Sequence, residues 1–142
     1  MNRLTLDTAN RIIVAAFHAG AELKLKPLSV AVLDAGGHLI AFQRMDASST
    51  LRPQVAIGKA AGALALGISS RKIGEMAIDR PTFVSSLGSI AHHGVVPAAG
   101  GVIIVDDKDS AIGAVGVTGD TSDNDEACAL AGITVAGLTA QT

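Results

Sequence analysis

Apolar residues recur at three-to-four spacing through Ile12, Ile13, Ala16, Phe17, Ala19 and Leu23, which predicts a first helix from Thr5 to about Lys24 capped by Thr5 or Asp7. Beyond Pro27 the period changes. Leu28–Leu33 and Leu39–Phe42 are short apolar runs on either side of Asp34 and Gly36-Gly37, the strongest hairpin signal in the chain. Helical spacing returns over Gln54–Leu66, rich in Ala and Gly, and again over Arg71–Ile78. From Asp79 to Ala99 the pattern is irregular, with Pro81, Pro97 and the pair His92-His93. Irregular stretches inside compact domains often carry function. Gly101–Val105 and Ala111–Val117 predict a second hairpin turning on DDKDS. Ser122, three residues before Asp125, opens a last helix to about Leu138.

Strands joined as hairpins make an antiparallel sheet, so the fold class is α+β, with residues 1–142 as one domain. The first strand is apolar on both of its alternating sets, Leu28, Val30 and Val32 against Ser29, Ala31 and Leu33. Both faces must therefore be covered, and the expected covers are helices on one side and a neighbouring subunit on the other.

Composition sharpens this picture. Hydrophobic residues are 49% of the chain against 17% charged, a high ratio for a small monomer, which predicts at least a dimer. The 11 basic and 13 acidic residues leave a formal charge of −2 with no basic block, and aromatics are 2%. Nucleic-acid partners are thereby excluded, since they require a cationic footprint and often stacking rings. The single Cys128 allows no internal disulfide and reads as a small buried hydrophobe. Neither a signal-peptide apolar stretch nor a membrane-length apolar run is present, so the expected location is the cytoplasm and no membrane partner is expected.

Candidate chemistry gathers at the hairpin ends. Asp34 can accept the turn's N–H groups, with His38 beside it at the turn exit. Arg44 follows the run LIAF and shares one face of an extended chain with Asp46, an arrangement that clamps a carboxylate or simply pairs internally. Lys59 is the one charge between Arg52 and Arg71, and in a pocket it would contact an anion or exchange a proton. Gly100-Gly101 and Thr118-Gly119 open and close the second hairpin, where glycine permits close backbone approach. Arg44 and Lys59 are expected to face one pocket walled by these glycines, occupied by a small anionic ligand. Asp120, Asp123, Asp125 and Glu126 read as capping and solvation of the last helix. His92 and His93 cannot face the same way on a strand, and no HxxxH or HExxH spacing exists, so no metal site is expected. No GxSxG, Walker or GxGxxG signature is present.

Four segments in order, AVLDAGGHLIAFQRMDAS, AIGKAAGAL, AAGGVIIVDDKDSAIGAVGVTG and DNDEACALAG, resemble the GlcG/HbpS-like haem-binding family and the C-terminal domain of PduO-type proteins over nearly the whole chain. The resemblance implies a profilin-like antiparallel sheet in homo-oligomers built from dimers, commonly tetramers or octamers. It implies haem as the cofactor of some members, and first-helix His or loop Thr as iron ligand. His18 and Thr118 match those positions, and His92 and His93 are the other donors considered. The chain departs from the family pattern at the acidic TGDTSDNDE, at AAGALALG after Lys59, and at AHHG. The first reading of function is thus a haem- or tetrapyrrole-binding protein for sequestration, sensing or degradation. The second is a cofactor-independent isomerase or lyase on a small carboxylated catabolite, with Arg44, Lys59 and Asp46 as its catalytic groups. A ligand-free accessory subunit is the third.

Overall fold

A computed structural model describes residues 3–142. Helix α1 (Leu6–Glu22) leads through the hairpin β1 (Ser29–Asp34) and β2 (Leu39–Arg44) to helices α2 (Arg52–Leu66), α3 (Ser70–Asp79) and α4 (Pro81–Leu87). The second hairpin, β3 (Gly101–Val105) and β4 (Ala111–Thr118), precedes α5 (Ser122–Val135) and the short β5 (Thr139–Ala140). The strands form one antiparallel sheet in the order β2-β1-β4-β3-β5. The fold is α+β, as the hairpin pattern predicts.

Helices α1, α3 and α5 start where a hydroxyl satisfies a free N–H group. Thr5 accepts from the Thr8 amide and Ser69 from that of Lys72. The cap of α5 is Thr121 rather than Ser122, its hydroxyl accepting from the Asn124 amide. Two further elements escape the sequence pattern. The stretch Asp79–Ala99 contains α4, one short helix started by Pro81, which supplies the helical φ at a position where no N–H is needed. The two-residue β5 is too short to show a period.

The sheet divides the interior. Val30, Val32, Val102, Ile104, Val115 and Val117 face α1 and α5, meeting Ile12, Ile13, Cys128 and Ile133. On the opposite face Ala31, Leu33 and Ala114 meet Ala56 and Ala60 of α2. The second cover of β1 is therefore a helix of the same chain, which corrects the expectation of a neighbouring subunit there. Cys128 is fully buried, and burial pushes its thiol up to about 11.

The helix α2 lies unusually close to the strands because glycines lie beneath it. Gly101 and Gly116 are register partners on β3 and β4. A Cβ at Gly116 would run into the Ala56 carbonyl, and one at Gly101 into the carbonyl of Lys59. Lys59 itself, 3% exposed, turns inward past Gly100. Its ammonium donates to a carboxylate oxygen of Asp125 at 3.1 Å and to the Val117 carbonyl at 3.0 Å. Asp125, 1% exposed, also accepts from the Asp120 amide at 2.9 Å. The pair ties α2 to α5, helices that cover opposite faces. Burial pushes the ammonium down and the carboxyl up from their ordinary values, and each partner's charge opposes the shift of the other.

Two stability outcomes follow from this packing. Gly116→Ala should cost about 3 kcal/mol or more in urea unfolding, at the upper end of overpacking because the obstruction is backbone. Lys59→Met should cost about 3–5 kcal/mol by leaving a buried carboxylate unpaired, and Lys59→Met with Asp125→Leu should recover most of that loss. A single variant as stable as the parent would show that the pair does not hold α2 to α5.

Candidate functional site

One cavity lies on the outer side of α1 and α5, away from the sheet. It is an open groove of about 590 Å³, whose apolar wall includes Val14, Ala15, Ala19, Ala131 and Val135. Arg11, His18 and Glu22 stand along α1 at its rim. The spacing puts them there: residues 11, 14, 15, 18 and 22 recur every three or four positions and share one helix face. His18 is exposed, and Arg11 meets Asp7, with Nε 3.7 Å from the carboxylate, and donates to the Thr8 hydroxyl at 3.5 Å. An imidazole nitrogen thus stands in an apolar groove with a guanidinium two turns away along α1. Val14, 51% exposed, is the sequence signal for this face, an apolar residue outside the core stripe with Arg11 and His18 around it.

A second cavity, about 280 Å³, joins the tip of the first hairpin to the AHHG segment. Gly36, Gly37 and His38 face His92, His93 and Gly94 across it, with Leu64 of α2 behind. His92 and His93 occupy a turn and not a strand, which removes the geometric objection to their facing one space; their rings meet edge-on at 4.4 Å between centroids. Among the described residues no three metal-ligating side chains form a group able to hold an ion. Asp34 closes the tip by accepting from the Gly36 amide at 3.0 Å and the His38 amide at 2.9 Å, with His38 Nδ1 at 3.3 Å. The His38 amide leads the contacts that hold its carboxyl below the usual range, against the opposing effect of burial.

The cations divide differently from the sequence reading. Lys59 is walled by Gly100, Gly101 and the Val117 carbonyl, as the glycine positions suggest, but its anion is Asp125. Arg44 is exposed at the end of β2. Its register partner is Ser29, whose partner on the other side is Thr118, so the three share the sheet face beneath α2. A second cation on that face is Arg52, at the start of α2, which the sequence reading passed over. It donates to the Thr118 hydroxyl at 2.7 Å and to the Ser49 hydroxyl at 3.2 Å. Thr118 is 1% exposed and lies on the far side of the sheet from the groove that holds His18. Asp46 is exposed in the connection from β2 to α2.

The acidic loop is built into the fold. Asp120 accepts from Asn124, the Lys26 amide and the Thr121 amide, which together hold its carboxyl at about 2. Asp123 and Glu126 both pair with Arg71 of α3. These residues, with Asp125, are tertiary ligands of other segments, where sequence alone suggests capping and solvation. The small-acid enzyme reading loses its titratable lysine in consequence, since Lys59 is sealed against Asp125.

No helix among the described residues is long and apolar enough to cross a membrane. Solved structures share this fold throughout. The haem complex of PduOC matches with a TM-score of 0.86 at 21% identity, covering 99% of this chain and 100% of that one. Protein ORFY of Klebsiella pneumoniae matches with a TM-score of 0.85 at 23% identity, covering 96% and 93%. A double mutant of HbpS from Streptomyces reticuli matches at 0.81 and 29% identity, covering 95% and 88%. No curated protein sequence matches. The model of the family described as "Haem degrading protein HbpS-like" matches residues 4–134, and with that extent of agreement the chain belongs to the HbpS-like family of haem-degrading proteins.

Proposed function

We propose that the protein binds haem, or a related tetrapyrrole, in the groove between α1 and α5, in the service of sequestration, sensing or degradation. The observation that carries this reading is an exposed imidazole, His18, in a mostly apolar cavity of about 590 Å³. The residues fit the group. A space of about 590 Å³ is within the roughly 300–1,000 Å³ common for small-molecule sites. Val14, Ala15, Ala19, Ala131 and Val135 offer small apolar contacts to a flat macrocycle, and His18 offers the nitrogen that haem iron commonly takes. Arg11 offers a planar, bidentate partner for a propionate once it leaves Asp7. Haem, when bound, supplies the redox chemistry, and the chain's part is to orient the ring and shield it from water. Family membership and the haem complex of PduOC support the same reading.

The groove is open along its length, with Val14 51% and Val135 68% exposed on its walls. A second copy of the chain would cover these side chains and the outer face of a bound ring together. The homo-oligomer is accordingly built on α1 and α5, with this dimer as the unit of any tetramer or octamer. The burial of β1 no longer bears on this assembly, because α2 satisfies it.

Titration of the intact chain with hemin should give a saturable Soret shift. His18→Ala should weaken binding about tenfold or more, the scale of one lost ligating bond, while His92→Ala and His93→Ala leave it unchanged. A spectrum indifferent to His18 would refute the groove. Light scattering should report at least a dimer at micromolar concentration, and Val14→Asp with Val135→Asp should yield a monomer that still folds.

A further inference from the structure

The face of the sheet beneath α2 holds a set of groups that neither the fold nor the haem reading uses. Arg44, Ser29 and Thr118 stand in one row across β2, β1 and β4, on a common face. Adjacent strands are about 4.8 Å apart, so the outer two members of the row are separated by roughly 10 Å at the backbone. Arg52 enters from α2 above this row and donates to the Thr118 hydroxyl. Its remaining donors reach only Ser49, another neutral oxygen. Among the described residues neither Arg44 nor Arg52 has a carboxylate at ion-pair distance. The nearest acid in sequence, Asp46, lies in the exposed connection and pairs with neither. Lys59, close enough to Arg52 for the two charges to oppose each other, is already neutralised by Asp125.

Two further observations concern the same spot. The first turn of α2, a helix of 15 residues, has no side-chain cap, and the positive end of its dipole adds to the two guanidinium charges. Ser29, fully buried in the middle of the row, has a hydroxyl with no hydrogen-bond partner, and it is the one such side-chain atom among the described residues. Buried hydroxyls are normally paired, because leaving one unpaired costs its desolvation with nothing in return. Cations lacking an anion, a helix N-terminus without a side-chain cap and a hydroxyl lacking a partner are satisfied together by one oxyanion.

We propose that Arg44, Arg52, Thr118 and Ser29 form a binding site for a small oxyanion, a carboxylate or a phosphate group, at the N-terminal end of α2. The two guanidinium groups grip it through paired N–H donors. Ser29 and Thr118 form its floor, Ser29 turning toward the anion as Arg52 draws it in. The site lies across the sheet from the α1/α5 groove, so it is separate from haem binding and does not depend on it.

Calorimetric titration of the intact chain at low salt, with inorganic phosphate and separately with malonate, tests the assignment. At least one should bind saturably, and the tighter of the two identifies which oxyanion the site prefers. Arg44→Met, an exposed position safe for folding, and Arg52→Met should each weaken that binding about tenfold or more, as loss of a charge-assisted pair does. Ser29→Ala should weaken binding yet leave the unfolding midpoint unchanged or higher, because it removes a hydroxyl that has no partner in the free protein. Hemin affinity should be the same in all three variants, so a failure of the haem reading leaves this result standing, and the reverse. Absence of saturable binding of both anions would overturn the site, as would binding indifferent to both arginine variants. A clear loss of stability in Ser29→Ala would do the same, by showing that the hydroxyl has an internal partner.

Discussion

The buried pair of Lys59 and Asp125 is the constraint on which the arrangement of layers depends. Two charges so deeply buried lose most of their hydration, and their mutual attraction offsets this only when the remaining donors and acceptors are met. Here they are met by the backbone: the Val117 carbonyl takes the ammonium and the Asp120 amide serves the carboxylate. That geometry requires β4, the start of β3, α2 and the loop before α5 to be in place at once. Gly100, Gly101 and Gly116 let α2 come near enough for the lysine to reach. The pair therefore selects one packing of the helix on the sheet, whatever its net contribution to stability.

Given that packing, the two faces of the sheet acquire different chemistry. Toward α1 and α5 the strands present Val and Ile, and the helices covering them are left with a half-apolar outer side that forms the groove at His18. Toward α2 they present Ala31, Ala114, Gly101 and Gly116 with Leu33 and Ile103, and the two glycines lie where the helix backbone leaves no room for a side chain. At the N-terminal end of α2, Arg44 shares a row with Ser29 and Thr118, and Arg52 donates to the Thr118 hydroxyl. Charge accumulates at that end because Asp125 answers Lys59 and no acid answers the arginines.

The acidic segment after β4 shows how far composition can mislead about role. Four acids within seven residues suggest a solvated loop, yet all four turn to other segments. Asp125 is committed to α2, while Asp123 and Glu126 clasp Arg71 of α3. Asp120 holds the loop itself and the chain at Lys26. A carboxylate kept at about 2 by such contacts is a structural group at any physiological pH.

Local periodicity determined the elements that are long or sharply punctuated: α1, both hairpins, α2 and the body of α5 follow from spacing, Gly-Gly turns and hydroxyl caps. The identity of four ordered segments was enough to indicate the family. Short elements were not legible, since α4 and β5 hold too few residues to repeat a period. Nor could sequence pair Lys59 with Asp125, 66 positions away, or set Arg52 over Thr118, because these contacts depend on the register of β4 against β1 and on the depth to which α2 sinks between glycines. The two-sided apolarity of β1 was plain in the sequence, but whether helix or subunit covers its second face was a tertiary matter. Local preferences choose elements residue by residue; which side chains meet is decided only when the sheet closes and burial forces each charge to find the partner within reach.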